Sequence, residues 1–153
     1  MKNIVYRSPI GPLLIRADDG FIIEVSFAGE ESVGASSDGC DVLRKCASEF
    51  DLYFAGKHKE FTVPLKLIGT DFRKKCWEAL LTIPYGETIN YKELATKVGN
   101  PKASRAVGGA NHHNPIVVIV PCHRVIGANG SLTGFGGGLD KKQFLLELEK
   151  KCK

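Results

Sequence analysis

The most restrictive feature of this chain is residues 116–126, where a strongly apolar run leads directly into Pro121-Cys122-His123-Arg124. The run from Ile116 to Val120 predicts a buried strand or another core segment. Pro121 removes a backbone donor and prevents regular continuation, so the Cys122 thiol is expected at the mouth of a pocket. The two neighbouring cationic residues are expected to lower its pKa, because nearby positive charge favours the thiolate. We therefore predict that Cys122 is a nucleophile and not a structural cysteine.

A cysteine nucleophile needs a base, and His123 is its direct neighbour. Adjacent side chains of an extended chain point apart, so we expect a bridging water between the two groups. A histidine that acts as a base is usually oriented by a carboxylate. The nearest carboxylates in sequence belong to the last predicted helix, and spacing alone does not choose among them: Asp140, Glu147 and Glu149.

The composition fits a globular protein of 153 residues, 43% of them hydrophobic, with one domain or two small subdomains. No run of about 18 apolar residues predicts a membrane span. The five cysteines form no C-x-x-C pair, so neither a disulfide framework nor a zinc site is indicated. We expect a soluble cytoplasmic protein without a metal or cofactor.

The charge is unevenly distributed along the chain. Residues 1–65 contain seven Lys and Arg and ten Asp and Glu, a net charge of −3. Residues 66–153 contain fourteen and seven, a net charge of +7, and the two halves sum to +4. A basic C-terminal half beside an acidic N-terminal half is typical of a protein that binds a polyanion through one half.

Residues 1–68 are predicted to form a small α/β subdomain with an antiparallel sheet. Two short strands are expected between Ile4 and Ile15, and the hairpin signal Asp18-Asp19-Gly20 leads to a third strand over Phe21 to Phe27. Helical spacing marks 42–54, and the alternation over 61–67 predicts a further strand or an extended linker.

Residues 69–153 are predicted to form a mainly helical domain. A first helix runs from Phe72 to about Thr82, and Asn90 with Glu93 resembles a capping box that begins a second helix. Asn100-Pro101 begins a further helix that continues to Ala110. Two short helices joined by a tight turn indicate a helix-turn-helix. The last helix, 140–151, is expected to place Phe144, Leu145 and Leu148 inward.

The second helix of this pair has mostly small side chains and one long cation, Arg105. Small residues let a helix backbone approach a partner closely. Tight packing against another helix selects the same small residues, but it gives no reason for a central arginine. The pattern therefore favours a helix that enters a nucleic-acid groove.

The segment Pro121-Cys122-His123-Arg124-Val125 resembles the signature of the O6-alkylguanine-DNA alkyltransferases, and the resemblance covers roughly residues 70–150. The other matching motifs are Tyr85-Gly86-Glu87, Tyr91, Asn100-Pro101-Lys102-Ala103, residues 105–110, Asn114-Pro115 and residues 135–139. The resemblance implies an α+β fold. A ribonuclease H-like antiparallel sheet would lie in residues 1–68, and a helix-turn-helix, winged-helix-like domain in residues 69–153.

The resemblance also implies a single-turnover DNA repair protein that moves an alkyl group from O6-alkylguanine to its own cysteine, with O4-alkylthymine as a second candidate substrate. Cys122 would be the acceptor, His123 the water-mediated base and Glu149 the carboxylate that orients it. Tyr91 would hydrogen-bond the guanine and help to protonate it. Asn114 would brace the active-site turn.

The same resemblance assigns the binding surfaces. The residues implied to bind the substrate base are Val125, Phe135, Gly136 and Asn111. The residues implied to contact DNA are Arg105, Ser104, Ala103 and Arg124, with Arg105 filling the stack left by a flipped base. The partner would be duplex DNA, bound mainly through its minor groove by a monomer. No membrane, cofactor or metal is implied.

Three other functions are compatible with parts of the sequence. A non-catalytic relative would bind alkylated DNA but would lack the cysteine, which is present here. A helix-turn-helix regulator would explain the basic half but not the Cys-His-Arg segment. A cysteine hydrolase would use the Cys122–His123 pair to turn over an ester or a peptide.

Overall fold

The computed structural model describes residues 2–28, 41–128, 130 and 138–153. The chain divides into two compact units, Met1–Leu67 and Ile68–Lys153. Strands and helices occur together in the fold, so the predicted α+β class is confirmed. In these ranges no helix combines the length and apolar character needed to cross a membrane.

The first unit is built on a three-stranded antiparallel sheet in the order β1-β2-β3. The strands are β1 (Lys2–Ser8), β2 (Gly11–Asp18) and β3 (Phe21–Phe27). Asp19 and Gly20 both have positive φ angles, 50° and 80°, in the turn between β2 and β3. Such turns match the right-handed twist of paired strands, which explains why the Asp-Gly signal gave the hairpin correctly.

One helix, α1 (Asp41–Phe54), contacts all three strands of this sheet. Its inward face includes Leu43, Cys46 and Phe50, all fully buried. Residues 61–67 do not form the further strand that was one of two alternatives. They pair with β3 only through a bridge between Leu65 and Ile22, so the extended linker is the correct alternative.

Glu49 of α1 holds this linker against the helix. Its carboxylate accepts hydrogen bonds from the backbone N–H groups of Thr62 (3.0 Å) and Val63 (3.1 Å) and from the Thr62 hydroxyl (2.6 Å). Glu49 is buried, and a buried carboxylate is tolerated only where donors replace its lost hydration. The linker therefore owes its position to a charged side chain as well as to apolar packing.

The second unit begins with α2 (Asp71–Leu80), followed by β4 (Ile89–Asn90), α3 (Tyr91–Lys97) and α4 (Ser104–His112). The predicted capping box is confirmed at α3: Asn90 accepts from the backbone of Glu93, and the Glu93 side chain accepts from the backbone of Asn90. The buried Trp77 indole donates to the Ala110 carbonyl (2.8 Å) and ties α2 to α4. The helix begun by Asn100-Pro101 starts later than predicted, because 101–102 form a turn.

The segment 116–120 is buried except for the half-buried Val117, but it is not a strand. It forms tight turns, with hydrogen bonds from the N–H of Val120 to Ile116 (3.0 Å) and from the N–H of Ile119 to Val117 (2.9 Å). Val118 has a φ of 73°, a costly angle for a β-branched residue. Apolar runs do not distinguish a strand from a buried turn, because both satisfy the same burial.

The chain then forms a 3₁₀ turn (Cys122–Arg124), β5 (Val125–Ile126) and α5 (Leu139–Lys151). Strand β5 pairs in parallel with β4. The predicted inward face of α5 is partly wrong: Phe144 is 38% exposed, and Leu148 is half-buried. Its buried residues are Lys142, Leu145 and Glu149, because this face meets polar groups of the 3₁₀ turn and β5.

We expect Glu49→Ala to lower the free energy of unfolding by about 2–3 kcal/mol, because the Thr62 and Val63 amides would lose their acceptor. Urea denaturation monitored by circular dichroism measures this loss. Glu60→Ala removes an exposed carboxylate of the same unit and is the matched control. Equal stabilities of the two variants would show that the Glu49 contacts contribute nothing.

Candidate active site

Cys122 lies at the first position of the 3₁₀ turn, directly after the buried turns of residues 116–120. Its N–H donates to the Val120 carbonyl (2.8 Å), and its side chain is 3% exposed. Burial raises the pKa of the thiol to about 11. The expectation of a lowered pKa is therefore wrong for the protein alone, since the loss of hydration outweighs nearby positive charge.

Two side chains and the Cys122 backbone oppose this rise in the thiol pKa. A hydrogen bond from the Asn114 side chain lowers the pKa, and so does the positive charge of Lys142. The Asn114 amide also donates to the Val120 carbonyl (2.7 Å), and its oxygen accepts from the N–H of Ile116 (2.9 Å). Asn114 thus connects both ends of the buried turn to the cysteine.

Lys142 and Asn111 each contact a backbone carbonyl beside the cysteine. The fully buried Lys142 ammonium donates to the Val125 carbonyl (2.6 Å). The Asn111 amide nitrogen approaches the Cys122 carbonyl at 3.4 Å. Only the nitrogen of an amide can donate, so this contact fixes the orientation of the side chain. The buried Asn111 Oδ1 has no hydrogen-bond partner among the described residues.

His123 is fully buried, and its Nε2–H donates to Glu149 Oε2 over 2.6 Å. Its other ring nitrogen, Nδ1, has no hydrogen-bond partner in the described part of the chain. Burial lowers the pKa of His123, as do Arg124 and Lys142, whereas Glu149 raises it; the net change is a decrease. The ring is therefore neutral at rest, with Nε2 protonated and Nδ1 able to accept a proton.

Glu149 remains ionised although it is 1% exposed. Burial opposes its ionisation, but the hydrogen bonds from His123 and Arg124 and the positive charge of Arg124 outweigh this effect and hold its pKa well below the usual range. Its Oε1 also accepts from the N–H of Gly86 (3.2 Å). Of the three carboxylates that sequence spacing left open, Glu149 is the one that contacts the histidine.

Arg124 does not lie where a DNA-contacting residue is expected. Its Nε and Nη2 donate to Glu149 over 2.7 and 3.1 Å, and its Nη1 donates to the Ile83 carbonyl (2.7 Å). The side chain is buried, and its guanidinium carbon lies 5.7 Å from the centre of the Tyr85 ring. We therefore assign Arg124 to the interior of the protein and no longer to the DNA-contacting surface, because its guanidinium already donates to Glu149 and to the Ile83 carbonyl.

Tyr91 follows β4, which pairs with β5 beside the 3₁₀ turn. Ile89 pairs with Val125, and Tyr91 begins α3 one residue after β4 ends. The Tyr91 ring lies against α4, where a Cβ added at Gly108 would be 3.7 Å from its Cδ1. The Tyr91 ring therefore packs against the backbone of α4 at Gly108, at a distance that would still accommodate a Cβ atom.

The residues predicted to contact DNA on α4 lie at its beginning. Ala103 is the N-cap residue and Ser104 the first helical residue, and both are half-buried, whereas Arg105 is exposed. Phe135 and Gly136, predicted to bind the substrate base, lie outside the described residues. No group of three potential metal ligands occurs within the described ranges.

Lys142 is the functional residue that the sequence did not reveal. It occupies a helix position that would ordinarily hold an apolar residue, and lysine is seldom fully buried. The spacing of Lys142, Leu145 and Glu149 places all three on one face of α5. The spacing predicts that Lys142 is buried only if Glu149 is already known to face inward, and the sequence alone does not show this.

Comparison with known proteins gives matches over both units. A family model described as "6-O-methylguanine DNA methyltransferase, DNA binding domain" matches residues 71–151. A second model, described as the ribonuclease-like domain of the same family, matches residues 1–67. A relative in Methanosarcina acetivorans, named methylated-DNA–protein-cysteine methyltransferase, is 49% identical, with 99% of this chain and 100% of the relative covered.

Solved structures show the same similarity. The crystal structure of Mycobacterium tuberculosis OGT in complex with DNA has a TM-score of 0.91 and 46% identity, and covers 99% of this chain and 94% of that one. An O6-methylguanine DNA methyltransferase from Methanococcus jannaschii has a TM-score of 0.70 and 28% identity, with 96% and 93% covered.

We expect Lys142→Met to raise the pKa of the Cys122 thiol above that of the parent protein, because the variant removes a positive charge that stabilises the thiolate. At a fixed pH below the thiol pKa, alkylation of Cys122 by iodoacetamide should slow about tenfold. Peptide mass spectrometry follows the modification of Cys122 separately from the other cysteines. Lys150→Met, which removes an exposed charge from the same helix, is the control. Equal rates for the two variants would contradict the role of Lys142.

Proposed function

Because the chain belongs to the 6-O-methylguanine DNA methyltransferase family, we propose that it repairs DNA by transferring the alkyl group of O6-alkylguanine to its own Cys122. The observation that carries this proposal is the buried series formed by the Cys122 thiol, the adjacent His123 and the ionised Glu149. Each molecule reacts once, since a thioether is not cleaved by proton transfer.

The arrangement favours removal of the thiol proton at the moment of reaction. The resting thiol is protonated, and Nδ1 of the adjacent His123 has no hydrogen-bond partner among the residues that the structure describes. A water molecule is expected to carry the proton between them, as general-base geometry allows. Glu149 then stabilises the imidazolium that forms, because its carboxylate already accepts the Nε2–H.

The transfer balances without an external reagent. The thiolate sulfur forms a bond to the alkyl carbon, and the bond from this carbon to O6 breaks. The electrons of that bond remain on the guanine, which takes up one proton and leaves as an ordinary base. Tyr91, which follows β4 directly in sequence, is proposed to hydrogen-bond the guanine and to assist this protonation; the pairing of β4 with β5 supports this assignment.

The substrate base is proposed to bind beside the Cys122 and Val125 carbonyls. These groups accept hydrogen bonds, and O6-alkylguanine offers the N–H donors of its 2-amino group. Asn111 Oδ1 is a further buried acceptor without a partner among the described residues, which supports its assignment to the base site. Phe135 and Gly136 remain proposed members of this site. O4-alkylthymine is proposed as a second substrate of the same reaction.

DNA is proposed to bind at the beginning of α4, through the minor groove. The exposed Arg105, together with Ala103 and Ser104, gives this helix end a short cationic projection on a small-sided surface. The reaction needs access to O6, which is reached only when the base leaves the stack. Arg105 is therefore proposed to occupy the space of the flipped base. We propose that the protein acts as a monomer in the cytoplasm.

We expect one methyl group to be added to the Cys122 peptide when the protein is mixed with a duplex that contains a single O6-methylguanine. The increase should reach one methyl group per protein molecule and then stop. Intact and peptide mass spectrometry measures both quantities. Cys122→Ala should bind the same duplex without any change in mass.

Two results would exclude the proposal. Binding of the duplex without modification of any cysteine would make the protein a damage-recognition module. Repeated turnover of an ester or peptide with an unmodified cysteine at the end would make it a cysteine hydrolase.

We expect Arg105→Ala to slow methyl transfer from duplex DNA by roughly 10- to 100-fold, because the vacated stack is no longer filled. Transfer from a single strand should slow much less, since no base pair has to open there. Single-turnover kinetics on the two substrates measures the ratio. Lys102→Ala removes a nearby exposed charge and should slow both reactions equally. An unchanged duplex-to-single-strand ratio in Arg105→Ala would rule out the flipping role.

A further inference from the structure

We infer that Arg124 is a positioning residue for the alkyl transfer: it holds Glu149 as an oriented anion, so that the proton leaving Cys122 stops at His123. This inference rests on the proposed function and adds to it a residue whose sequence context suggested a DNA contact. Arg124 does not touch the reacting atoms. It acts through the carboxylate that orients the base.

The Arg124 guanidinium forms a bidentate ion pair with the Glu149 carboxylate. Its Nε donates to Glu149 Oε1 (2.7 Å) and its Nη2 to Oε2 (3.1 Å). Paired N–H donors fix both the position and the plane of a carboxylate, which a single cation does not. The third nitrogen, Nη1, is anchored on the Ile83 carbonyl just beyond α2 (2.7 Å). The guanidinium is therefore itself positioned by a backbone carbonyl.

Glu149 accepts two further N–H bonds. Oε2 accepts from His123 Nε2 (2.6 Å), and Oε1 accepts from the N–H of Gly86 (3.2 Å). Each carboxylate oxygen thus accepts two N–H bonds. A proton added to either oxygen would displace one of these donors. Glu149 is consequently a poor final acceptor, and the proton remains on the imidazole.

The proton count follows from these contacts. The Cys122 thiol gives up its proton, and His123 Nδ1 gains it while Nε2 keeps its own. The result is an imidazolium facing an anionic carboxylate, together with a thiolate that attacks the alkyl carbon. The C–O6 bond breaks, its electrons remain on the guanine, and the guanine takes up one proton from solvent. The imidazolium then releases the thiol proton to solvent, so the net change moves one proton from Cys122 to the guanine. No further reactant is needed.

The other ionisable groups around the site do not replace Arg124. Lys142 faces Cys122 and His123 from α5, and its charge disfavours an imidazolium. Tyr85 faces Glu149, Arg124 and Cys152 from the loop after α2. Arg124 also disfavours the imidazolium directly. Any favourable effect of Arg124 on His123 as a base must therefore act through the orientation of Glu149.

The experiment compares four folded proteins: the parent, Arg124→Lys, Glu149→Gln, and the double variant Arg124→Met with Glu149→Gln. Arg124→Lys keeps the charge and loses the bidentate geometry. The double variant removes both buried charges together, so that neither remains unpaired if the single Arg124→Met protein does not fold. Circular dichroism establishes which proteins are folded before rates are compared.

Two measurements are made without DNA. The first is the rate of Cys122 alkylation by iodoacetamide as a function of pH. The second is the ¹⁵N NMR spectrum of labelled histidines, in which His123 should show a protonated Nε2 and an unprotonated Nδ1. We expect Arg124→Lys to slow the alkylation by roughly 10- to 100-fold, with a shifted pH profile and an altered His123 signal. Methyl transfer from O6-methylguanine DNA should slow by the same factor.

The double variant gives the decisive comparison. If Arg124 acts through Glu149, replacing Arg124 should have no additional effect once Glu149 is Gln, so the double variant should match Glu149→Gln. Rates and pH profiles of folded Arg124→Lys that equal those of the parent would overturn the inference, because a merely structural arginine would change only stability. A double variant that is slower than Glu149→Gln would overturn it as well.

A measurement of DNA affinity against salt concentration separates this inference from a phosphate contact. Arg124→Lys should bind undamaged duplex with the parent's affinity and salt dependence. A weaker affinity with a smaller salt slope would overturn the positioning role in favour of a phosphate contact. If the parent itself fails to methylate Cys122, the proposed function fails, while the DNA-free measurements still decide the role of Arg124.

Discussion

The buried carboxylate of Glu149 is the interaction on which the second unit depends. An ionised carboxylate loses several kcal/mol of hydration when it is buried, so it is stable only when enough donors surround it. Those donors come from two places in the chain: the backbone N–H of Gly86, and the 3₁₀ turn at His123 and Arg124. The Arg124 guanidinium is itself anchored, because it also donates to the Ile83 carbonyl. One charge on α5 thereby fixes the loop after α2 and the turn that carries the cysteine.

The cysteine is presented by a second set of polar contacts within an apolar segment. Residues 116–120 fill the core but turn sharply, and Val118 adopts a costly backbone angle. Asn114 stabilises this path by bonding to Ile116 and Val120. A thiol at the end of such a segment is shielded from water and protonated at rest. The chemistry proposed here therefore begins with proton removal, for which the adjacent neutral histidine is suited.

Local signals in the sequence predicted the elements well where the signal is itself a hydrogen-bonding pattern. The Asp-Gly turn and the capping box at Asn90 specify their own backbone partners, and both occur as predicted. Patterns based on hydrophobicity alone were less decisive. The run from Ile116 to Val120 is buried as predicted but does not form a strand, and Phe144 lies outward although its spacing suggested the core. Burial can be read from composition, but the conformation that achieves it cannot.

The sequence by itself determined the chemical groups available to the site: a thiol after a proline, a histidine and an arginine beside it, and a small-sided helix with one exposed cation. It also carried the motifs that resemble the alkyltransferase family. Only the tertiary structure decided which carboxylate contacts His123, that Arg124 faces inward, and that Lys142 is buried beside the thiol. The physical reason is that each of these facts depends on groups about 17 to 41 residues apart in sequence. Desolvation and charge pairing act on that three-dimensional neighbourhood, which local sequence patterns do not encode.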